Sequence, residues 1–115
     1  ARPPAGLPLL PAALLKARRA GGDPPRLIDV RTAPEVAQFS LPGAEHLLFE
    51  DLISGNFDHH RQTGEAVVVC RSGYRAAIAA ALLMAGGRTN LSILAGGLEA
   101  LRKARSDHRL ERFAL

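Results

Sequence analysis

Apolar and polar positions fall into short blocks along the chain, and each block predicts an element. Ala66-Val67-Val68-Val69 is the strongest strand signal, an apolar, mostly β-branched run with no polar face. A central parallel strand covered on both sides needs that pattern. Arg26 to Val30 reads as a shorter strand around Leu27 and Ile28, Ala44 to Leu48 as another, and Leu91 to Leu94 as a further one. Between them lie helical stretches. Ala12 to Arg19 are good helix formers with Pro11 as an early helix residue, stopped by Gly21-Gly22 and the turn Asp23-Pro24-Pro25. Thr32-Ala33-Pro34-Glu35 has the spacing of a capping box and predicts a helix through Phe39, broken by Leu41-Pro42-Gly43. Glu50 to Arg61 is expected to be partly helical, with an interruption near Ser54-Gly55-Asn56. Arg75 to Ala85 predicts a long Ala/Leu helix ending at Gly86-Gly87. Gly96-Gly97 predicts a turn, and Leu98 to Arg105 a last full helix.

Alternation of strands and helices implies βαβ units. The expected fold class is therefore α/β, a central mostly parallel sheet with helices on both faces. Residues 1–8, rich in proline, read as an extended lead-in, and 9–115 as a single domain with no internal repeat. A length of 115 residues suits one domain, and a 47% hydrophobic, 23% charged composition can bury a core, which excludes a disordered or fibrous chain. The longest apolar stretch, Ala76 to Ala85, is ten residues, against about 20 for a membrane span. No signal peptide or lipidation motif is visible, so a cytoplasmic, non-membrane, monomeric protein is expected. In the tail, Leu110 and Phe113 are expected to face the core.

Charge changes the picture modestly. Net charge is +4 and the isoelectric point about 10.2. Nearly all the cations are arginines, which do not titrate near neutral pH. They are spread along the chain, and five aromatic residues are few for base stacking, so a small anionic substrate fits better than nucleic acid. The Arg102, Lys103, Arg105, Arg109, Arg112 run reads as a solvated helix face.

The one cysteine carries the chemistry. Cys70 stands at the carboxyl end of the strongest strand, where open α/β sheets bind ligands, followed by Arg71-Ser72-Gly73-Tyr74-Arg75 and the start of a helix. A loop curling into a helix N-terminus points backbone N–H groups and the positive end of the dipole inward. Such a cradle favours thiolate, the nucleophilic form, and an anion beside it. A core cysteine needs no such polar loop.

With these residues in place, the chain resembles a single rhodanese domain, the sulfurtransferase module, over roughly residues 9 to 105. Leu27-Ile28-Asp29-Val30-Arg31 with Glu35 and Phe39 downstream, Leu41-Pro42-Gly43-Ala44, Val67 to Ala76, and Leu94-Ala95-Gly96-Gly97-Leu98 match the family's motifs in order and spacing. Ser40 and Leu98 depart from it, where the family often has His and an aromatic residue. The resemblance implies ping-pong sulfur transfer: Cys70 takes a sulfane sulfur, becomes a persulfide and passes it to a thiophilic acceptor. Arg71, Ser72, Gly73, Tyr74 and Arg75 would bind the donor, and no metal or organic cofactor is implied. The donor expected is a small anion, the acceptor a thiol, cyanide, or a thioredoxin-like or sulfur-carrier protein. Two arginine charges beside the sulfur favour thiosulfate over mercaptopyruvate.

Asp29 and Arg31 read as a structural ion pair supporting the site. His46, His59, His60 and His108 have no metal-ligand spacing and read as surface or capping residues, and Leu82-Leu83-Met84 as a core face. Two rivals remain. One is a relay or regulatory rhodanese-like module of a longer protein. The other is a cysteine phosphatase or arsenate reductase, whose signature places its arginine where Ala76 stands. Here the arginine comes one residue earlier, at Arg75, leaving less room for a tetrahedral oxyanion.

Overall fold

A computed structural model describes residues 7–55 and 64–104. The elements run β1 (Leu9–Leu10), α1 (Ala12–Ala20), β2 (Arg26–Asp29), α2 (Ala33–Gln38), β3 (Glu45–His46), α3 (Phe49–Ser54), β4 (Ala66–Val69), α4 (Tyr74–Ala85), β5 (Leu91–Leu94) and α5 (Gly97–Lys103). The five strands form one sheet in the order β1-β5-β4-β2-β3, and every pairing is parallel.

The apolar run read as a central strand is central: β4 pairs with β2 on one side and β5 on the other. Its residues are 0–1% exposed and feed two cores. Ala66, Val68 and Cys70 join Ile28, Val30 and Ile93 beneath α3 and α4, packed on Leu52, Ala76, Ala79, Ala80 and Leu83. Val67 and Val69 join Leu27 and Leu94 beneath α1 and α5, packed on Leu15, Leu98 and Leu101. The alternation of the pleat thus sorts one run of residues into two layers.

Several boundaries differ from expectation. β1 has no signal in the sequence, because two residues carry no period. It exists because the Ile93 N–H donates to the Pro8 carbonyl and the Ala95 N–H to the Leu10 carbonyl, so the end of the expected lead-in is joined to β5, and Leu7 is buried. Pro11 stands just before α1, as its N-cap in an extended conformation, not inside it. The strand expected over Ala44 to Leu48 pairs only at Glu45 and His46, against Ile28 and Asp29. α3 stops at Ser54 because Gly55 takes a left-handed C-cap, φ +76°. Leu83 faces the core and Leu82 lies at its margin, but Met84 is 46% exposed on the far side of α4. Leu110, Phe113, His59, His60, His108 and the cations of the tail lie outside the described residues. No helix among the described residues is long and apolar enough to cross a membrane.

Candidate active site

At the carboxyl end of β4 the chain leaves the sheet through Cys70 and curls for three residues before α4 begins at Tyr74. Gly73 is the N-cap, with φ +106°, a conformation that an L side chain rarely adopts. This turn brings two amides onto the thiol. The Gly73 N–H donates to Cys70 Sγ at 3.0 Å and the Ala76 N–H at 3.3 Å. The second of these belongs to the first turn of α4, whose amides have no partner within the helix. Cys70 itself is 1% exposed.

The other side of the loop is held by α5. The Leu98 N–H donates to the Cys70 carbonyl at 2.8 Å and the Glu99 N–H to the Arg71 carbonyl at 3.0 Å. One helix start therefore absorbs the loop's carbonyls while the other supplies amides to the sulfur. Gly97 makes the approach possible. A Cβ there would collide with the Arg71 carbonyl and come within 2.6 Å of the Cys70 carbonyl oxygen.

The two loop arginines do not stand free. Arg71 donates from Nε to Glu99 Oε1 at 2.7 Å, in a pair open to solvent. Arg75 makes a two-pronged contact with Glu35, 2.7 Å to Oε1 and 2.9 Å to Oε2, with both side chains about a quarter exposed. Glu35 is also the returning residue of the capping box: it accepts from the Thr32 N–H and hydroxyl, both at 3.0 Å. The Arg75 hydrogen bonds, opposed by burial and aided by Thr32, lower the Glu35 pKa to about 2. Glu35 in turn holds Arg75 more firmly protonated, with smaller contributions from Cys70 and Asp29.

Asp29 and Arg31 form the buried pair expected of them. Arg31 Nη2 lies 2.8 Å from Asp29 Oδ2 and its Nε 3.0 Å from Oδ1. The same guanidinium reaches the Glu35 and Phe39 carbonyls and so fastens α2, which buries no residue of its own, over the end of the sheet. His46 has a place that its spacing could not reveal, with Nε2 2.7 Å from the Arg31 carbonyl oxygen. Glu99 carries no sequence signal either, since a contact across 28 residues leaves none locally.

Among the described residues, three cavities flank the loop. One of about 270 Å³ is lined by Val30, Arg31, Leu48, Phe49 and Arg75. A second, about 250 Å³, lies beside Leu9, Ser72, Gly73 and the half-exposed Tyr74. The third, about 280 Å³, lies between Arg71, Glu99, Phe39 and Arg102. Ser72 is exposed at the crest of the loop.

Comparison with known proteins bears on the family and the fold. The profile of the Rhodanese-like domain matches residues 11–104. The human single-domain sulfurtransferase is 25% identical over 88% of this chain and all of its own, with a TM-score of 0.72. A rhodanese homologue from Thermus thermophilus is 29% identical over 81% of this chain and 99% of its own, with a TM-score of 0.62. A Rhodopseudomonas palustris protein described as a possible tyrosine phosphatase shares the fold, with 20% identity over 90% of this chain and 85% of its own and a TM-score of 0.74. No curated protein matches the sequence.

Proposed function

For a chain that belongs to the rhodanese-like domain family, we propose sulfur transfer through Cys70, with thiosulfate or a similar anion as donor. The observation that carries this reading is the pair of backbone amides, from Gly73 and Ala76, directed at Cys70 Sγ. These two N–H donors are placed to stabilise negative charge that develops at the sulfur, or on an anion beside it, during transfer. The Cys70 thiolate attacks the outer sulfur of thiosulfate. The sulfur–sulfur bond of the donor breaks, and sulfite leaves with its electron pair. The product is a Cys70 persulfide whose terminal sulfur carries the negative charge. An acceptor nucleophile then takes that sulfur and returns the thiolate. No metal or organic cofactor takes part in these steps.

Ser72, Gly73 and Tyr74 would line the donor's approach, and Asp29 with Arg31 would act at a distance by fixing α2. Phosphate ester chemistry is less well supported. It calls for an arginine presented to the bound oxyanion, whereas Arg71 and Arg75 are directed at Glu99 and Glu35. Mass spectrometry of the intact protein after incubation with thiosulfate tests the reading. A gain of one sulfur, absent in Cys70→Ser, is expected. An unmodified wild-type chain that instead turns over p-nitrophenyl phosphate would overturn it.

A further inference from the structure

The charged groups around the loop cancel pair by pair: Arg31 with Asp29, Arg75 with Glu35, Arg71 with Glu99. A second surface does not cancel. Between α1 and α5 lies a groove of about 200 Å³ whose lining among the described residues is Lys16, Arg19, Phe39, Leu41, Leu101 and Arg102, three cations over an apolar floor with no carboxylate. Lys16 is held at its edge, Nζ donating to the Ala104 carbonyl at 2.6 Å. Arg102 is held across it, its guanidinium 5.4 Å from the centre of the Phe39 ring. Phe39 and Arg102 also line the cavity that contains Arg71. The stacked pair is therefore a wall shared by the groove and a neighbouring trough, which reaches Arg71 in the loop of Cys70 and also holds Glu35 and Glu99.

We propose that this groove docks an acidic segment of the polypeptide that accepts the sulfur. One apolar side chain of the segment would sit on Leu41 and Leu101, and flanking carboxylates would meet Lys16, Arg19 and Arg102. The segment would then run along the trough and deliver its thiol to the loop. Nucleic acid fits less well, because the one aromatic face in the groove is already covered by Arg102. A small anionic amphiphile would fill the floor but leave the trough to Arg71 unused. This inference deepens the function proposed above by naming the acceptor's class, and rests on it. Binding is therefore measured apart from turnover, so that the two fail separately.

The experiment uses the full chain and a fluorescein-labelled synthetic peptide with a single Leu among Asp and Glu residues and a C-terminal Cys. Fluorescence anisotropy is expected to show saturable binding that weakens with salt. The Arg19→Glu/Arg102→Glu variant is expected to bind at least about tenfold more weakly, since two favourable contacts become repulsive. As an acceptor from persulfidated protein, the peptide is expected to lose kcat/KM by a similar factor in that variant, and transfer to cyanide, a small and mostly neutral acceptor near pH 7, is expected to lose far less. Equal binding of a peptide with Lys in place of its acids would overturn the proposal. So would unchanged peptide binding by the charge-reversed variant, or tighter binding of decanoate than of the peptide. Displacement of the acidic peptide by a synthetic copy of residues 105–115 would also overturn it, by assigning the groove to the chain's own tail. A thermal melt checks that the variant folds, and Arg19→Ala/Arg102→Ala, which loses attraction without adding repulsion, gives the second reading at about threefold.

Discussion

At the scale of single residues, the loop that begins at Cys70 is built from backbone donors, and its arginines are answered by carboxylates. That bears directly on the donor. A dianion approaching Arg71 meets a charge already shared with Glu99, but the pair is exposed, with side chains 71% and 46% accessible, and exposed pairs are weak. Glu99→Gln is therefore expected to leave stability unchanged within about 0.5 kcal/mol. It should also raise kcat/KM for thiosulfate roughly three- to tenfold by leaving Arg71 its full charge. Mercaptopyruvate, with fewer fixed charges, is expected to gain less, and an equal gain for both donors would show that Arg71 does not sense the donor's charge. Glu35 behaves differently, because its contact with Arg75 is two-pronged and three-quarters buried. Its folded pKa, about 2, lies below the ordinary value of 4.5. A depressed carboxylate stabilises the fold above the unfolded pKa and loses that contribution as pH falls through the folded one. Urea denaturation should thus find Glu35→Gln less stable by about 1–2 kcal/mol at neutral pH, after allowance for solvent screening. The gap should close between about pH 4.5 and pH 2 as the wild-type carboxylate protonates. A gap that stays constant down to the acid end would mean that Glu35 contributes only as a helix cap.

At the scale of elements, most of the fold was legible because the signals are local. The capping box of Thr32 and Glu35 forms as its spacing predicts, β4 is the covered central strand, and α4 ends at Ala85, before Gly86-Gly87. The cysteine loop was legible for the same reason: strand, thiol, polar turn and helix are contiguous in sequence. What escaped notice depends on contacts across the chain. β1 is defined by its bonds to β5, the short extent of β3 by its register on β2, and the partners of Arg71 and Arg75 stand 28 and 40 positions away in sequence. Gly97 shows how a motif can be visible while its reason is not. Gly96-Gly97 reads as a turn, yet its role is to let α5 dock its first amides on the loop carbonyls. Gly97→Ala is expected to destabilise by about 2–4 kcal/mol, since the methyl group would press on backbone that has nowhere to move. Gly22→Ala shares the positive φ, +82° against +67°, but meets nothing within 4 Å. It is expected to cost only about 1 kcal/mol. Chemical denaturation of the two variants separates strain from collision, and equal losses would remove the collision argument.

At the scale of the whole molecule, charge is distributed so that the site is locally balanced while the protein is not. The three ion pairs around the loop sum to zero, whereas the chain carries +4. Attraction of a small dianion then comes from the field of the entire surface more than from two arginines at short range. These sources respond differently to salt. A field summed over many exposed groups is damped once their distances exceed the Debye length, about 10 Å at 0.1 M. Hydrogen bonds from the amides of Gly73 and Ala76 act at contact and persist. Single-turnover formation of the persulfide should therefore slow by roughly three- to tenfold in kcat/KM for thiosulfate when chloride salt is raised from about 10 mM to about 300 mM. The saturating rate should hold constant, because the long-range field acts on the donor's approach and not on the step that follows binding. Transfer of the sulfur to cyanide, which is mostly neutral hydrogen cyanide near pH 7, should show no comparable loss. A second-order rate indifferent to salt would place donor recognition in the backbone amides alone and leave the basic surface without a part in the reaction.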